Sequence, residues 1–95
     1  MSTKALAGRV FIITGGSKGF GLAIARDLVG QGARVGLVSR NQSGLDQAVD
    51  DLGGDAALGI AANVASRTEI TAAFAAFKSH FGRLDGLVNN AGMAT

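Results

Sequence analysis

The segment that most constrains this chain is an apolar run that breaks abruptly into glycines. Val10-Phe11-Ile12-Ile13 leads directly into Thr14-Gly15-Gly16-Ser17-Lys18-Gly19-Phe20-Gly21. Four consecutive apolar residues read as a short strand buried on both faces, the habit of a parallel sheet. From Gly21 to about Gln31 the spacing becomes helical, with Leu22, Ala25, Val29 and Ile24, Leu28 on an apolar face. Gly32 then supplies the left-handed residue that commonly follows a helix. Strand, glycine-rich turn and helix follow one another with no spacer.

The alternation continues to the end of the chain. Val35-Gly36-Leu37-Val38 reads as a second strand. Leu45, Ala48, Val49 and Leu52 fall on one helical face, closed by Gly53-Gly54. Ala57 to Ala62 is a third strand, weakly marked because alanine does not favour strands. Ser66-Arg67-Thr68-Glu69 matches a capping box. Ile70, Phe74, Phe77 and Phe81 then repeat at helical spacing up to Gly82, which reads them as core packing, and Leu84 to Val88 is a fourth strand. Such alternation with short connections implies an α/β fold with parallel strands and right-handed crossovers. The expected strand order is 3-2-1-4, with three flanking helices: the first half of a doubly wound sheet plus one strand. Its switch point falls between strands 1 and 4, where open α/β sheets bind ligands.

Composition sets the scale. The 95 residues make one domain at most, residues 1–95, and a chain of this size buries about 60–65% of its unfolded surface. Only 17% of residues are charged, against a typical ~25%, and 47% are hydrophobic. A small free-standing domain should be more polar, so the composition suits part of a larger sheet. The net charge of +2 is scattered, without basic runs or interleaved aromatics, and nucleic acid is not an expected partner. There is no cysteine, hence no disulfide framework or thiolate metal site, which fits a cytoplasmic location. No apolar run approaches the ~20 residues that span a bilayer, so no membrane partner is expected. The start of the chain lacks a signal-peptide core. His80, the single histidine, has no second ligand of the right type nearby in the sequence, and no metal site is expected.

The glycines suit a phosphate. A helix N-terminus offers backbone donors and a favourable dipole to an anion. Gly15 permits the tight turn out of the strand, Gly19 lets the backbone approach a pyrophosphate, and Gly21 lets the helix pack closely. The strand before and the helix after raise this triplet above a chance match.

At these residues the chain resembles the short-chain dehydrogenase/reductase family. Thr14, Gly15, Gly19 and Gly21 match every fixed position of the family's TGxxxGxG motif, and Asn89-Asn90-Ala91-Gly92 matches its NNAG motif. The resemblance runs from about Ala7 to Gly92 and covers roughly the first third of a family member. It implies a partial Rossmann fold, truncated before the catalytic half, that holds a nicotinamide dinucleotide. Ser17 and Phe20 belong to the same turn and are counted with its cofactor-binding residues. The family usually has Asp-Val after the third strand, with the Asp on adenine; here the pair is Asn63-Val64, and an amide can both donate and accept there. Carried over from the family, Asn89, Ala91 and Gly92 lie along the adenosine ribose.

The end of the second strand reads Val38-Ser39-Arg40-Asn41. NAD-specific members carry an Asp there, which would repel a 2′-phosphate. Arg40 instead offers a planar, permanently charged fork, Lys18 a second cation, and Ser39 a hydroxyl. The expected cofactor is therefore NADP(H) rather than NAD(H).

The family's Tyr-x-x-x-Lys pair is missing, and the chain contains no tyrosine. No catalytic residue is assigned, and the chain alone is expected to be inactive. The favoured reading is the NADP(H)-binding portion of an enzyme whose family moves hydride between NADP(H) and an alcohol or carbonyl. The alternatives are a non-catalytic nucleotide-binding module and an interaction module completed by a partner. The fourth strand is expected to be an open apolar edge and a route to self-association.

Overall fold

The computed structural model describes residues 5–90. Strand β1 (Val10–Thr14) leads through the glycine turn into α1 (Gly19–Gly30), then β2 (Arg34–Ser39) and α2 (Gln42–Leu52). They are followed by β3 (Ala57–Ala61), α3 (Arg67–Phe81) and β4 (Gly86–Asn89). The strands form one parallel sheet in the order β3-β2-β1-β4, as expected. Register is direct: Ile12 stands opposite Gly36 on β2 and Leu87 on β4. The chain thus has the α/β, Rossmann-like arrangement, with the order reversing beside β1.

Alternation along the strands divides the core between the two faces. Val10, Ile12 and Val38 pack against Ala73, Phe77 and Phe81 of α3. Ile13, Val35 and Leu37 pack against Ala25 of α1 and Leu45 and Ala48 of α2. Both faces are covered, which is why the central strands are almost uniformly apolar. Phe77 is fully buried, a contribution on the order of 1.5–3 kcal/mol. It fits because β2 carries a glycine beneath it: a Cβ on Gly36 would lie 2.6 Å from Phe77 Cδ1. Phe74 is only half-buried, at the margin of this cluster.

Several boundaries differ from the sequence reading. Strand β1 extends to Thr14, whose hydroxyl is engaged at the end of β4. Helix α1 begins at Gly19, two residues before Gly21. Strand β3 ends at Ala61 rather than Ala62, whose N–H bonds the Ser39 carbonyl. Strand β4 begins at Gly86 rather than Leu84 because Asp85 serves as a bracket. Its carboxylate accepts from the Val10 N–H (2.8 Å) while its own N–H donates to the Val10 carbonyl (2.8 Å). Arg83 lies alongside, 2.7 Å from the same carboxylate. These bonds hold the Asp85 carboxyl below its ordinary range, with Arg83 the leading cause.

The helix ends follow local chemistry. Asn41 caps α2 by accepting from the Gly44 N–H (3.1 Å), and Ser66 caps α3 by accepting from the Glu69 N–H (3.2 Å). Only half of the expected capping box forms. The Glu69 carboxylate accepts from the Asn63 N–H (3.0 Å), whereas the Ser66 N–H bonds the Asn63 carbonyl. Gly82 ends α3 in the left-handed conformation. His80 sits edge-on to the Phe81 ring at 4.8 Å. Among the described residues, no helix is long and apolar enough to cross a membrane.

Candidate functional site

The turn between β1 and α1 is held from three sides. The Gly15 N–H donates to the Val38 carbonyl at 2.7 Å, fixing the turn to β2. The Thr14 hydroxyl donates to Asn89 Oδ1 (3.0 Å) and accepts from the Asn90 N–H (3.0 Å). Asn90 Nδ2 donates to the Gly15 carbonyl at 3.2 Å. Thus the Asn-Asn pair at the end of β4 sets the shape of the glycine turn by direct bonds. Gly15 has φ +69° and Gly19 φ +61°, conformations that side chains resist. A Cβ on Gly21 would lie 2.1 Å from the Gly15 carbonyl oxygen. The close approach at Gly21 is therefore to the turn itself and to Asn90, in addition to the helix-packing role read from the sequence.

Helix α1 differs from its neighbours at its N-terminus. Lys18 is the N-cap residue, with extended backbone and no side-chain cap, and no acid lies in the first turn. The first N–H groups of a helix have no partner within it, and a nearby anion is favoured there.

Beside this turn is a cavity of about 510 Å³ at the carboxyl ends of the strands. It brings together Gly15 and Lys18 from the turn, Val38, Ser39 and Arg40 from the end of β2, and Ala62, Asn63, Val64 and Ala65 after β3. Its size suits a nucleotide-scale ligand. Lys18 and Arg40 are exposed, and neither pairs with a carboxylate among the described residues. Ser39 Oγ accepts from Ser17 Oγ (3.3 Å) and from the Asn41 N–H (3.3 Å), joining the glycine turn to the start of α2. No side chain lining the cavity is acidic. A hollow of similar size between α1 and α2 is lined by Asp50 and Asp51, the latter paired with Arg26, and its carboxylates are a poor match to phosphate.

Six residues singled out from sequence thus share the cavity: Gly15, Lys18, Ser39, Arg40, Asn63 and Val64. Ser17 is linked to it through Ser39. Thr14 and Asn89 lie behind the turn, and Asn89 is bonded to Thr14. Phe20 projects from the start of α1, 76% exposed, outside the cavity. Ala91 and Gly92 lie outside the described residues. The sequence reading passed over Asn90, although it belongs to the NNAG motif. It also passed over Asn41, whose place before a helical segment is an N-cap signal.

Residues 9–95 match the family model described as short chain dehydrogenase. The chain belongs to that family. It is 42% identical over 91 residues to a D-threitol dehydrogenase of Mycolicibacterium smegmatis, covering 94% of this chain and 35% of that protein. Its fold is similar to a 3-ketoacyl-(acyl-carrier-protein) reductase from Brucella melitensis complexed with NADH. That match has a TM-score of 0.84 and 37% identity, over 87% of this chain and 34% of that one. It is equally similar to the C-domain of a bacterial malonyl-CoA reductase with NADP. There the TM-score is 0.84 and the identity 34%, over 94% of this chain and 15% of that one. The chain spans about a third of the length of the curated relatives it matches. Both kinds of nicotinamide dinucleotide therefore occur on short chain dehydrogenase relatives of this fold.

Proposed function

We propose that this chain is the NADP(H)-holding portion of a short-chain dehydrogenase/reductase. The observation that carries the reading is the cavity lined by both Arg40 and Lys18, the latter at the uncapped start of α1, with no acid in the lining. Gly15 and Gly19 leave the turn's backbone accessible to a pyrophosphate. Lys18 and Arg40 neutralise a 2′-phosphate, and the Arg40 fork suits two of its oxygens. Asn63 and Val64 are the adenine-side wall. Phe20, Asn89, Ala91 and Gly92 complete the cofactor contacts by resemblance to the family. When bound, the dinucleotide supplies or accepts a hydride.

In the whole protein the family's reaction is hydride transfer between NADP(H) and an alcohol or carbonyl. The chain alone is catalytically inactive on this reading, because it has no tyrosine to move the substrate's proton. The absence of cysteine supports a cytoplasmic location. Fluorescence titration of the purified chain with NADPH and NADH tests the cofactor choice. Tighter binding of NADPH is expected, and Arg40→Asp is expected to weaken NADPH about 10- to 100-fold while changing NADH little. Equal loss of both nucleotides contradicts the NADP(H) preference.

A second reading, self-association, is favoured by β4. Among the described residues that strand pairs with β1 alone, and Leu87 on it is 52% exposed.

A further inference from the structure

Three arginines gather at the amino end of the sheet, opposite the cavity, and take no part in the cofactor site. Arg9 immediately precedes β1, Arg34 opens β2 and Arg83 lies just before β4. The Arg34 N–H donates to the Arg9 carbonyl at 2.8 Å, and the Asp85 N–H donates to the Val10 carbonyl at 2.8 Å. The three therefore arrive on adjacent strands, and all three are exposed.

They are not equally committed. Arg83 grips the Asp85 carboxylate side-on, through Nε at 2.9 Å and Nη2 at 2.7 Å. The Asp85 side chain is 13% exposed and also accepts from the Val10 N–H, so its carboxylate is committed to the sheet. Arg9 stands 3.8 Å from it, beyond hydrogen-bond distance, with its side chain 57% exposed. The Arg34 guanidinium lies over the Phe81 ring, 5.6 Å from its centre, which engages its face and leaves its N–H edge. Among the described residues Arg34 pairs with no carboxylate, and Asp55, in the turn before β3, forms no ion pair with it. Lys78 and His80 occupy the last turn of α3, where the helix dipole favours cations. That dipole does not account for Arg9 or Arg34, which lie outside the helices.

Two neighbouring guanidinium forks with open donors suit an anion that offers paired oxygens. Arg83 and Asp85 already show this pairing at the same end of the sheet. Nucleic acid is a poor match, because Phe81 is 7% exposed beneath Arg34 and offers no free face to a base. An anionic membrane is a poor match as well. The exposed large apolar side chains lie elsewhere: Phe20 and Val64 at the carboxyl ends of the strands, Leu87 on β4. We propose that Arg9 and Arg34 form a docking site for the carboxylates of an acidic segment of a partner protein. The site lies at the end of the sheet away from the cofactor cavity, and the proposal does not depend on what that cavity holds.

The test is fluorescence anisotropy of a labelled hexaglutamate peptide titrated with the full chain, alongside a short DNA duplex and vesicles of phosphatidylcholine with phosphatidylserine. Saturable peptide binding that weakens as salt is raised is expected. Arg9→Gln combined with Arg34→Gln should weaken it about tenfold or more. Arg26→Gln combined with Arg67→Gln removes as much charge elsewhere and should stay within about twofold of the native chain. Arg9→Gln alone, at a half-exposed side chain, should weaken binding about threefold and serves if the double variant does not fold. The proposal is overturned if a folded native chain shows no saturable peptide binding, or if the folded Arg9 and Arg34 variants bind the peptide as the native chain does. Equal loss in the two double variants, or tighter binding to the duplex or the vesicles than to the peptide, overturns it as well.

Discussion

Asp85 shows how one side chain can hold a sheet in register. Its carboxylate takes the Val10 N–H and pairs with Arg83, with Arg9 at 3.8 Å, and so ties the approach to β4 to the start of β1. Its folded pKa is depressed below the usual ~3.9 of an unfolded Asp. The stabilisation is therefore complete above that value and is lost as pH falls through the lower folded value. Denaturant melts between about pH 5 and pH 2 should lose stability more steeply for the native chain than for Asp85→Asn. Parallel pH profiles contradict this role. Other residue-scale features were hidden in the sequence for a physical reason. The capping-box spacing of Ser66 and Glu69 was visible, but the partner of the Glu69 carboxylate depends on where β3 delivers Asn63. The bond from the Ala65 N–H to Asn63 Oδ1 likewise depends on a backbone turn that residue identity alone leaves open. Arg40 and Lys18 were legible because charge type and the missing acid at the end of β2 need no tertiary knowledge to notice.

Among the elements, β1, β2 and β4 were legible as apolar runs and the helices through their period, whereas the alanine-rich β3 was weakly marked. Order 3-2-1-4 followed from alternation and handedness. The ends shifted where tertiary bonds took over: Thr14 joined β1 because its hydroxyl meets Asn89 and Asn90, and β4 began later because Asp85 binds across to Val10. Between β2 and α3 the fit is tight, with Gly36 under the Phe77 ring. Gly36→Ala should destabilise the chain by about 1–3 kcal/mol through overpacking. Each kcal/mol lowers the midpoint of a domain this size by roughly 4–8 °C. Adding Phe77→Leu should recover part of that loss, giving a coupling of about 0.5 kcal/mol or more in a double-mutant cycle. Strict additivity would mean that the ring is not what Gly36 accommodates.

At the scale of the whole molecule, the centre of the sheet is well covered, and among the described residues β4 has β1 as its one strand partner. β1 and β2 are sealed between α1 and α2 on one face and α3 on the other. β4 alternates between half-buried and exposed residues. Unpaired strand edges are templates for association. Sedimentation of the chain over a range of concentrations should show mass rising with concentration, and Leu87→Lys should shift the distribution toward monomer. A native chain that stays monomeric throughout contradicts the self-association reading. The cavity, by contrast with the strands, needed the fold to gather residues from three separate turns.

The most direct test of the account is to map NADPH on the chain by amide chemical-shift perturbation. Saturable shifts are expected at Gly15, Lys18, Gly19, Arg40, Asn63 and Val64, around the carboxyl ends of β1, β2 and β3. Shifts centred instead on Gln47, Asp50 and Asp51 in the α1–α2 hollow, or no saturable shifts in a folded chain, would contradict it.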